Sequence, residues 1–197
     1  MQTTIKGAPS FAYIDAELAP GESITAEADA MSTMSADLDM KAVLNGGFFS
    51  GLLKSTLGGE SFFVNRFTNN TAGPCKLTLV QNTPGDIREI KLNNTSICMQ
   101  PGAYVCSTPG IHLGLKWAGL SSWIGREGLF KLEAQGKGSI WCGAYGGLFD
   151  KEINGEYIVD SGHLVAYAPG IRLKTQLAGG IFSSFFGGEG LVTRLEG

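Results

Sequence analysis

The sequence predicts an all-β protein, and three observations carry that prediction. Gly accounts for 29 of the 197 residues, about twice its usual share, while charged residues make up only 17% of the chain. Helical periodicity is almost absent, since only 48–56 and 119–124 could form a turn or two of helix. A phrase made of a turn glycine and a β-prone run also occurs three times, at Gly21, Gly102 and Gly162. Short strands joined by tight turns explain all three observations.

The phrases divide the chain into three tandem repeats. Repeat 1 covers 1–82. Two insertions, 31–56 within it and 69–85 at its end, are expected to map to loops. Repeat 2 covers 83–143. Repeat 3 covers 144–197 and lacks the closing strand that repeat 2 forms, so an unpaired sheet edge is expected there. A neighbouring unit or subunit could satisfy that edge.

Each repeat is predicted to run from strand to turn to strand. In repeats 2 and 3, the β-prone runs 96–100 and 156–160 lead into the first turn. A second turn follows at Pro109-Gly110 and Pro169-Gly170, and Ala28-Asp29 holds the equivalent place in repeat 1. The glycines of the first turn are expected to supply positive φ at hairpin turns: Gly21, Gly102 and Gly162.

Charge and cysteine usage limit the function classes. The net charge of −3 argues against a dedicated nucleic-acid binder, which usually carries a basic face. The cysteines have no Cys-x-x-Cys spacing, and neither a secretory signal nor a membrane-spanning helix is predicted. We therefore expect buried free thiols in a cytoplasmic protein, at four positions: Cys75, Cys98, Cys106 and Cys142.

No motif predicts catalysis, a cofactor or a metal site. The chain has neither a Gly-x-Ser-x-Gly elbow nor a phosphate-binding loop, and its histidines, His112 and His163, fall at different places in the repeat. Three repeated glutamates, Glu60, Glu127 and Glu189, are the most enzyme-like positions, because a carboxylate cluster would raise one pKa. The favoured interpretation is structural: each accepts backbone hydrogen bonds in a Gly-rich turn, as expected of an element that recurs in every repeat.

Directly before each glutamate phrase lies a segment with large apolar side chains. Loops are normally polar, so three such segments need a partner surface. They could cap the cores of the repeats, bury against other subunits, or enter a membrane interface, where Phe and Trp are favoured anchors. The candidate contact residues are Phe48, Phe49, Leu52, Leu53, Trp123, Ile124, Phe182, Phe185 and Phe186.

The repeated phrases resemble a known family, the altered-inheritance-of-mitochondria (member twenty-four) proteins, whose fold is similar to the tryptophan RNA-binding attenuation protein. The resemblance runs in register over essentially the whole chain. It rests on 7–18, 20–23, 58–63, 84–87, 117–120, 125–130, 144–147, 160–166 and 187–192.

This resemblance implies three modules, each like a β-sandwich or double-stranded β-helix, in a pseudo-threefold arrangement. It also implies that subunits assemble further into a ring, a homotrimer, and that family members commonly continue with another strand. It brings no catalytic residues. Bacterial members have no established reaction, and mitochondrial relatives are linked to inner-membrane organisation.

Together these observations predict a non-enzymatic scaffold or binding protein that forms a homo-oligomeric ring, with the apolar segments as its contact or membrane-associated face. An RNA- or small-ligand-binding ring is the alternative, by fold analogy alone. The acidic balance counts against RNA. An enzyme using the repeated glutamates is the weakest of the three hypotheses.

Overall fold

The computed structural model describes residues 1–44, 63–117, 130–177 and 191–197, and these are almost entirely β. Short 3-10 turns occur at Pro101–Ala103 and Ser161–His163. The strands of the described ranges are β1 (Gln2–Lys6), β2 (Tyr13–Leu18), β3 (Ser23–Glu27), β4 (Met31–Met34), β5 (Asp39–Leu44), β6 (Phe63–Thr68), β7 (Cys75–Val80), β8 (Gly85–Met99), β9 (Tyr104–Ser107), β10 (Ile111–Trp117), β11 (Phe130–Tyr145), β12 (Glu156–Asp160), β13 (Ala166–Tyr167), β14 (Arg172–Leu177) and β15 (Leu191–Glu196). The all-β prediction is confirmed.

The strands form three sheets in which neighbouring strands are antiparallel. The N-terminal sheet has the order β1-β2-β7-β4. The main sheet has the order β13-β8-β11-β9-β3-β6-β5, and β10 also pairs with β11. The terminal sheet has the order β12-β15-β14. The main sheet therefore draws strands from all three predicted repeats.

The long pair β8–β11 is the backbone of the main sheet. It is paired from Met99↔Leu132 to Gly85↔Tyr145, with a register shift between Gly136 and Lys137. The shift coincides with positive φ at Gly136, at Gly138 and, on β8, at Asn94. A Cβ at Gly136 would collide with the Gly110 carbonyl oxygen, so glycine is required there. A bulge of this kind bends the strand and changes where the neighbouring side chains point.

Two hydrophobic clusters lie on opposite faces of β11. Trp141 belongs to the cluster shared with the N-terminal sheet, while Ile140 and Cys142 belong to a second cluster under β10 and β8. Successive residues of a strand point to opposite faces, so one strand can serve two cores. All three side chains are almost fully buried. At these positions neither face of β11 is exposed to solvent.

The prediction of positive φ in the first turn is right at one glycine and wrong at two. Gly21, between β2 and β3, has a φ of +80°. Gly102 and Gly162 lie in the 3-10 turns and do not have positive φ. The turn at Gly102 is closed by a hydrogen bond from the Ala103 N–H to the Gln100 carbonyl. In the turn at Gly162, the Gly162 N–H donates to Asp160 Oδ1. Such 3-10 turns need only ordinary negative φ.

Two strand pairs share the same irregularity. β4 pairs with β7 by Met31↔Leu79 and Thr33↔Thr78, which leaves one residue of β4 unmatched. β9 pairs with β11 in the same way, by Tyr104↔Cys142 and Cys106↔Trp141. Each of these pairs thus has one unmatched residue, and β4 follows the turn at Ala28-Asp29. The Pro20-Gly21 turn separates β2 from β3.

The predicted repeat boundaries fall in different surroundings. Thr83 lies between β7 and β8, whereas Gly143 lies inside β11, two residues before its end. Gly143 is buried, and a Cβ there would meet the side chain of Gln81.

Candidate functional site

The sequence-predicted contact residues and glutamates lie outside the described residues, so they stay predictions. They fall in 45–62, 118–129 and 178–190. The strands on either side of each segment form an antiparallel pair, with Leu44↔Phe63, Trp117↔Phe130 and Leu177↔Leu191 as the last partners. Each apolar segment thus connects the two strands of one hairpin.

The structure adds a polar surface pocket that the sequence does not predict. Ser96, Gln135 and His112 are cross-strand partners on β8, β11 and β10, so their side chains share one face of the main sheet. The bulge beside them opens the surface. The pocket is lined by Asn94, Thr95, Ser96, His112, Gln135 and Gly136.

The chemistry of this pocket is that of hydrogen bonding without fixed charge. Its side chains are two amides, two hydroxyls and the His112 imidazole, all of which can donate. Within the described part of the chain, none of them makes a hydrogen bond to another residue. No carboxylate lines the pocket, so among these residues it does not offer the anionic oxygens that a divalent cation prefers. The pocket suits a small ligand rich in acceptor oxygens.

Sequence reasoning missed this pocket because its residues come from three separate strands. Its local signals are Asn93-Asn94, which resembles a turn, and Gly136-Lys137-Gly138 on the facing strand. Two glycines around one residue inside a strand indicate a bulge. Only the register brings the two signals opposite each other, since Lys137 pairs with Asn93.

The four cysteines are free and buried, which confirms that part of the prediction. Burial raises the pKa of the Cys142 thiol to about 11 and raises that of Cys106 well above its usual value. A thiol that stays protonated at neutral pH is a poor nucleophile. These two cysteines act as small apolar groups in the core.

The described ranges contain no group of three or more side chains that could hold a metal ion. Both histidines are exposed, His112 on β10 and His163 in a 3-10 turn. In the same ranges, no helix is long and apolar enough to cross a membrane.

An exposed aromatic group lies at the far end of the β8–β11 pair. Phe11, Tyr145 and Phe149 are all largely exposed. Gly85 links the first two, because its carbonyl accepts a hydrogen bond from Ala12 and its Cα faces Tyr145. Phe11 and Tyr145 lie in segments that carry the family resemblance, but no pattern in the sequence brings the three aromatic residues together.

Fold and surface together define a class: a nearly all-β protein of three antiparallel sheets, with a polar pocket and exposed strand edges. The chain belongs to the AIM24 family, described as mitochondrial biogenesis AIM24, whose family model matches residues 3–197. The family resemblance seen in the sequence is therefore confirmed.

Two similar proteins come from Streptococcus pyogenes. An uncharacterised protein of serotype M6 is 24% identical over 206 residues, which cover 100% of this chain and 82% of the relative. A crystal structure of another protein of this species matches with a TM-score of 0.76 and 22% identity, covering 100% of this chain and 89% of that chain. The second likeness establishes the fold.

Proposed function

We propose that this protein is a non-enzymatic scaffold that assembles with copies of itself into a ring, a trimer in its simplest form. Each subunit would contribute three β modules around a pseudo-threefold axis, as in a fold similar to the attenuation protein. The single observation that carries the proposal is the set of three antiparallel hairpins, β5–β6, β10–β11 and β14–β15, each joined by an apolar segment.

Strand pairing supports the modular part of this proposal. In repeat 2, Gly136 of β11 lies between Thr95 of β8 and Ile111 of β10. In repeat 3, Glu196 of β15 lies between Glu156 and Arg172 in the same manner. The shared one-residue bulge of β4–β7 and β9–β11 links repeats 1 and 2. One β module used three times accounts for these recurrences.

The apolar segments supply the contact surface. A loop rich in Phe, Leu and Trp is unfavourable in water unless it is covered. Because each one joins a hairpin, a ring would present a set of them in every subunit. They would bury against neighbouring subunits or dip into a membrane interface, the latter making the protein peripheral to a membrane. Buried free thiols fit a cytoplasmic location.

The assembly is tested by light scattering on the purified chain. A ring predicts a mass that is a multiple of 20.8 kDa, three times that value for a trimer. A monomeric mass at tens of micromolar concentration would contradict the proposed ring.

Membrane association is tested separately by co-sedimentation with anionic vesicles. The variants Phe48→Ser, Trp123→Ser and Phe185→Ser should lower the bound fraction, whereas Phe149→Ser, an exposed phenylalanine outside the three segments, should not. Binding that is unchanged in the first three variants would limit the segments to subunit contacts.

The polar pocket favours a second candidate function, binding of a small ligand. The observation is the row Ser96–Gln135–His112 with unused hydrogen-bonding capacity among the described residues. Inorganic phosphate serves as the probe for an acceptor-rich ligand. In NMR spectra, titrated phosphate should shift the amide signals of Gln135 and Gly136, and Gln135→Ala should abolish the shift. Shifts spread evenly over the surface would argue against a site.

A further inference from the structure

We propose that the terminal sheet is the joint between subunits: the basic edge strand β14 of one copy pairs with the acidic edge strand β12 of the next. The pairing is parallel and head to tail. This inference rests on the proposed self-assembly and identifies the surface that performs it. The observations that carry it are open strand edges, opposite charge on those edges, and matching register.

Among the described residues, both edges of the terminal sheet are open. β15 lies in the middle, and β12 and β14 each have it as their one strand partner in the described part of the chain. An open edge presents a row of unpaired backbone N–H and C=O groups, which is a template for another strand. Addition of a strand to such an edge is a common mode of recognition.

The two edges carry opposite charge. On β14, Arg172 and Lys174 have side chains that are 79% and 65% exposed. On β12 the charged residues are Glu156, 59% exposed, and Asp160. Two β14 edges would repel each other, and so would two β12 edges. Unlike edges attract, and this selects a head-to-tail contact over a symmetric one.

The internal ion pairs leave the edges free to make this contact. Glu196 of β15 accepts a hydrogen bond from Lys174 at 2.6 Å and lies 3.4 Å from Arg172, while Arg194 donates to Glu156 at 2.9 Å. These contacts point inward along the sheet. The large exposed fractions of Arg172 and Lys174 remain available to a carboxylate from outside.

The register of the sheet places the charges correctly. Glu156, Glu196 and Arg172 form one cross-strand row. β12 and β14 are parallel to each other, because both are antiparallel to β15. A second copy added in the same orientation therefore brings its Glu156 beside Arg172 of the first, on one face of a continuous six-stranded sheet.

The acidic edge also offers apolar area. Tyr157 and Ile158 are 43% and 51% exposed, on adjacent positions that face opposite sides of the sheet. Pairing with a second strand would cover part of both side chains, which is favourable in water. An edge strand with exposed apolar residues is otherwise a liability for aggregation, and specific pairing removes it.

Two other edge strands, β1 and β5, lack this complementarity. β1 ends the N-terminal sheet, and its one charged residue is Lys6, which forms an ion pair with Asp15. β5 ends the main sheet and carries both signs on itself, with Lys41 beside Asp39. Neither edge has an opposite-sign counterpart across its own sheet.

Charge reversal tests the joint, with light scattering as the readout. The variant R172E/K174E should lose assembly, and E156K/D160K should lose it too, because in each the two edges have the same sign. The four-fold variant carrying all these changes has both edges reversed, so it should recover the mass of the wild type. The matched control K6E/K41E makes the same change in charge and also breaks two ion pairs, yet should keep the wild-type mass.

The outcomes separate this inference from the proposed function. A wild-type monomer would contradict self-assembly itself. An oligomeric wild type whose mass survives R172E/K174E would overturn this joint and leave self-assembly standing. Failure of the four-fold variant to recover, while retaining a native circular-dichroism spectrum, would overturn the pairing of these two edges.

A cysteine cross-link tests the same joint without charge reversal. Within one chain, positions 156 and 172 are separated by two strand spacings, about 9.6 Å, which is too far for a disulfide. Between copies they become neighbours. Oxidised R172C/E156C should therefore form a ladder of covalent oligomers on a non-reducing gel, and the pair R172C/Asn94→Cys should not. A gel with monomer alone would contradict the joint.

Discussion

The body of the molecule, which we define as the N-terminal sheet and the main sheet, differs from the terminal sheet in where its strands find partners. In the body, both faces of β11 are covered near its C-terminal end, where Ile140, Trp141 and Cys142 are all buried. In the terminal sheet, three consecutive residues of β12 are exposed, Glu156, Tyr157 and Ile158. At these positions the body buries the side chains of β11 internally. The terminal sheet keeps backbone groups, charge and apolar area available for a second molecule.

The largest expected contrast lies between two phenylalanines. Phe67 is fully buried in the first cluster, and Phe149 is 80% exposed. Phe67→Ala should lower the free energy of unfolding by about 3–5 kcal/mol, the usual cost of removing a buried aromatic ring. Phe149→Ala should change it by less than about 0.5 kcal/mol. Urea unfolding followed by tryptophan fluorescence measures both, and equal losses would contradict the assignment of core and surface.

Two adjacent asparagines give the next contrast. The buried Asn69 amide donates to the Leu18 and Gly73 carbonyls at 2.8 Å and accepts from Thr71. Asn70 is exposed and makes one long contact, 3.5 Å, to Asp39. Asn69→Ala should cost about 2–3 kcal/mol, since several buried groups lose their partners. Asn70→Ala should cost less than about 0.5 kcal/mol in the same assay. A near-neutral Asn69→Ala would refute the network.

Two turn glycines test the difference in backbone conformation between the two turns. Gly21 has positive φ, so Gly21→Ala should destabilise the protein by about 1–2 kcal/mol. Gly102 has open space around its Cα and no positive φ. Gly102→Ala should therefore be neutral or stabilising by about 0.4–1 kcal/mol, through the lower entropy of the unfolded chain. Thermal unfolding of both variants measures the two changes in stability. Equal destabilisation would contradict the difference in backbone conformation between the two glycines.

The smallest expected effect is on the pKa of Glu196 and hence on stability at low pH. The hydrogen bond from Lys174 holds the pKa of Glu196 below its usual value of 4.5, against the opposing effect of burial. A carboxyl group whose pKa is lowered in the folded state stabilises that state at pH values above its usual pKa. This stabilisation is lost as the pH falls through the lowered pKa. Lys174→Gln should move the NMR titration midpoint of the Glu196 carboxyl upward, whereas Lys151→Gln should leave it in place. A midpoint that does not respond to Lys174 would contradict the ion pair.

The sequence predicts some of these features because they are local. Glycine content, turn residues and β-prone runs indicate the all-β class. A Pro-Gly pair alone does not determine φ, since Gly21 has positive φ whereas Gly102, which also follows a proline, does not. The sequence does not predict the φ of Gly162 either, because the Asp160 side chain closes that turn in another way. The family also follows from phrases that run in register along the chain.

The pocket and the terminal joint could not be predicted, because both depend on register. Asn94 and Gly136 are far apart in sequence and meet only through the β8–β11 pairing. Arg172 and Glu156 become opposite edges only once β15 lies between them. The sign of the charge on each edge depends on which strands end the sheet, and the sequence alone does not show that.

Hydrogen exchange tests the joint between subunits most directly, with the wild type and R172E/K174E compared at a concentration where the wild type is assembled. Pairing of β12 with β14 of the next copy should slow the exchange of their amides in the wild type, with β8 and β11 amides unchanged between the two proteins. Equal exchange of β12 and β14 in both proteins would contradict it.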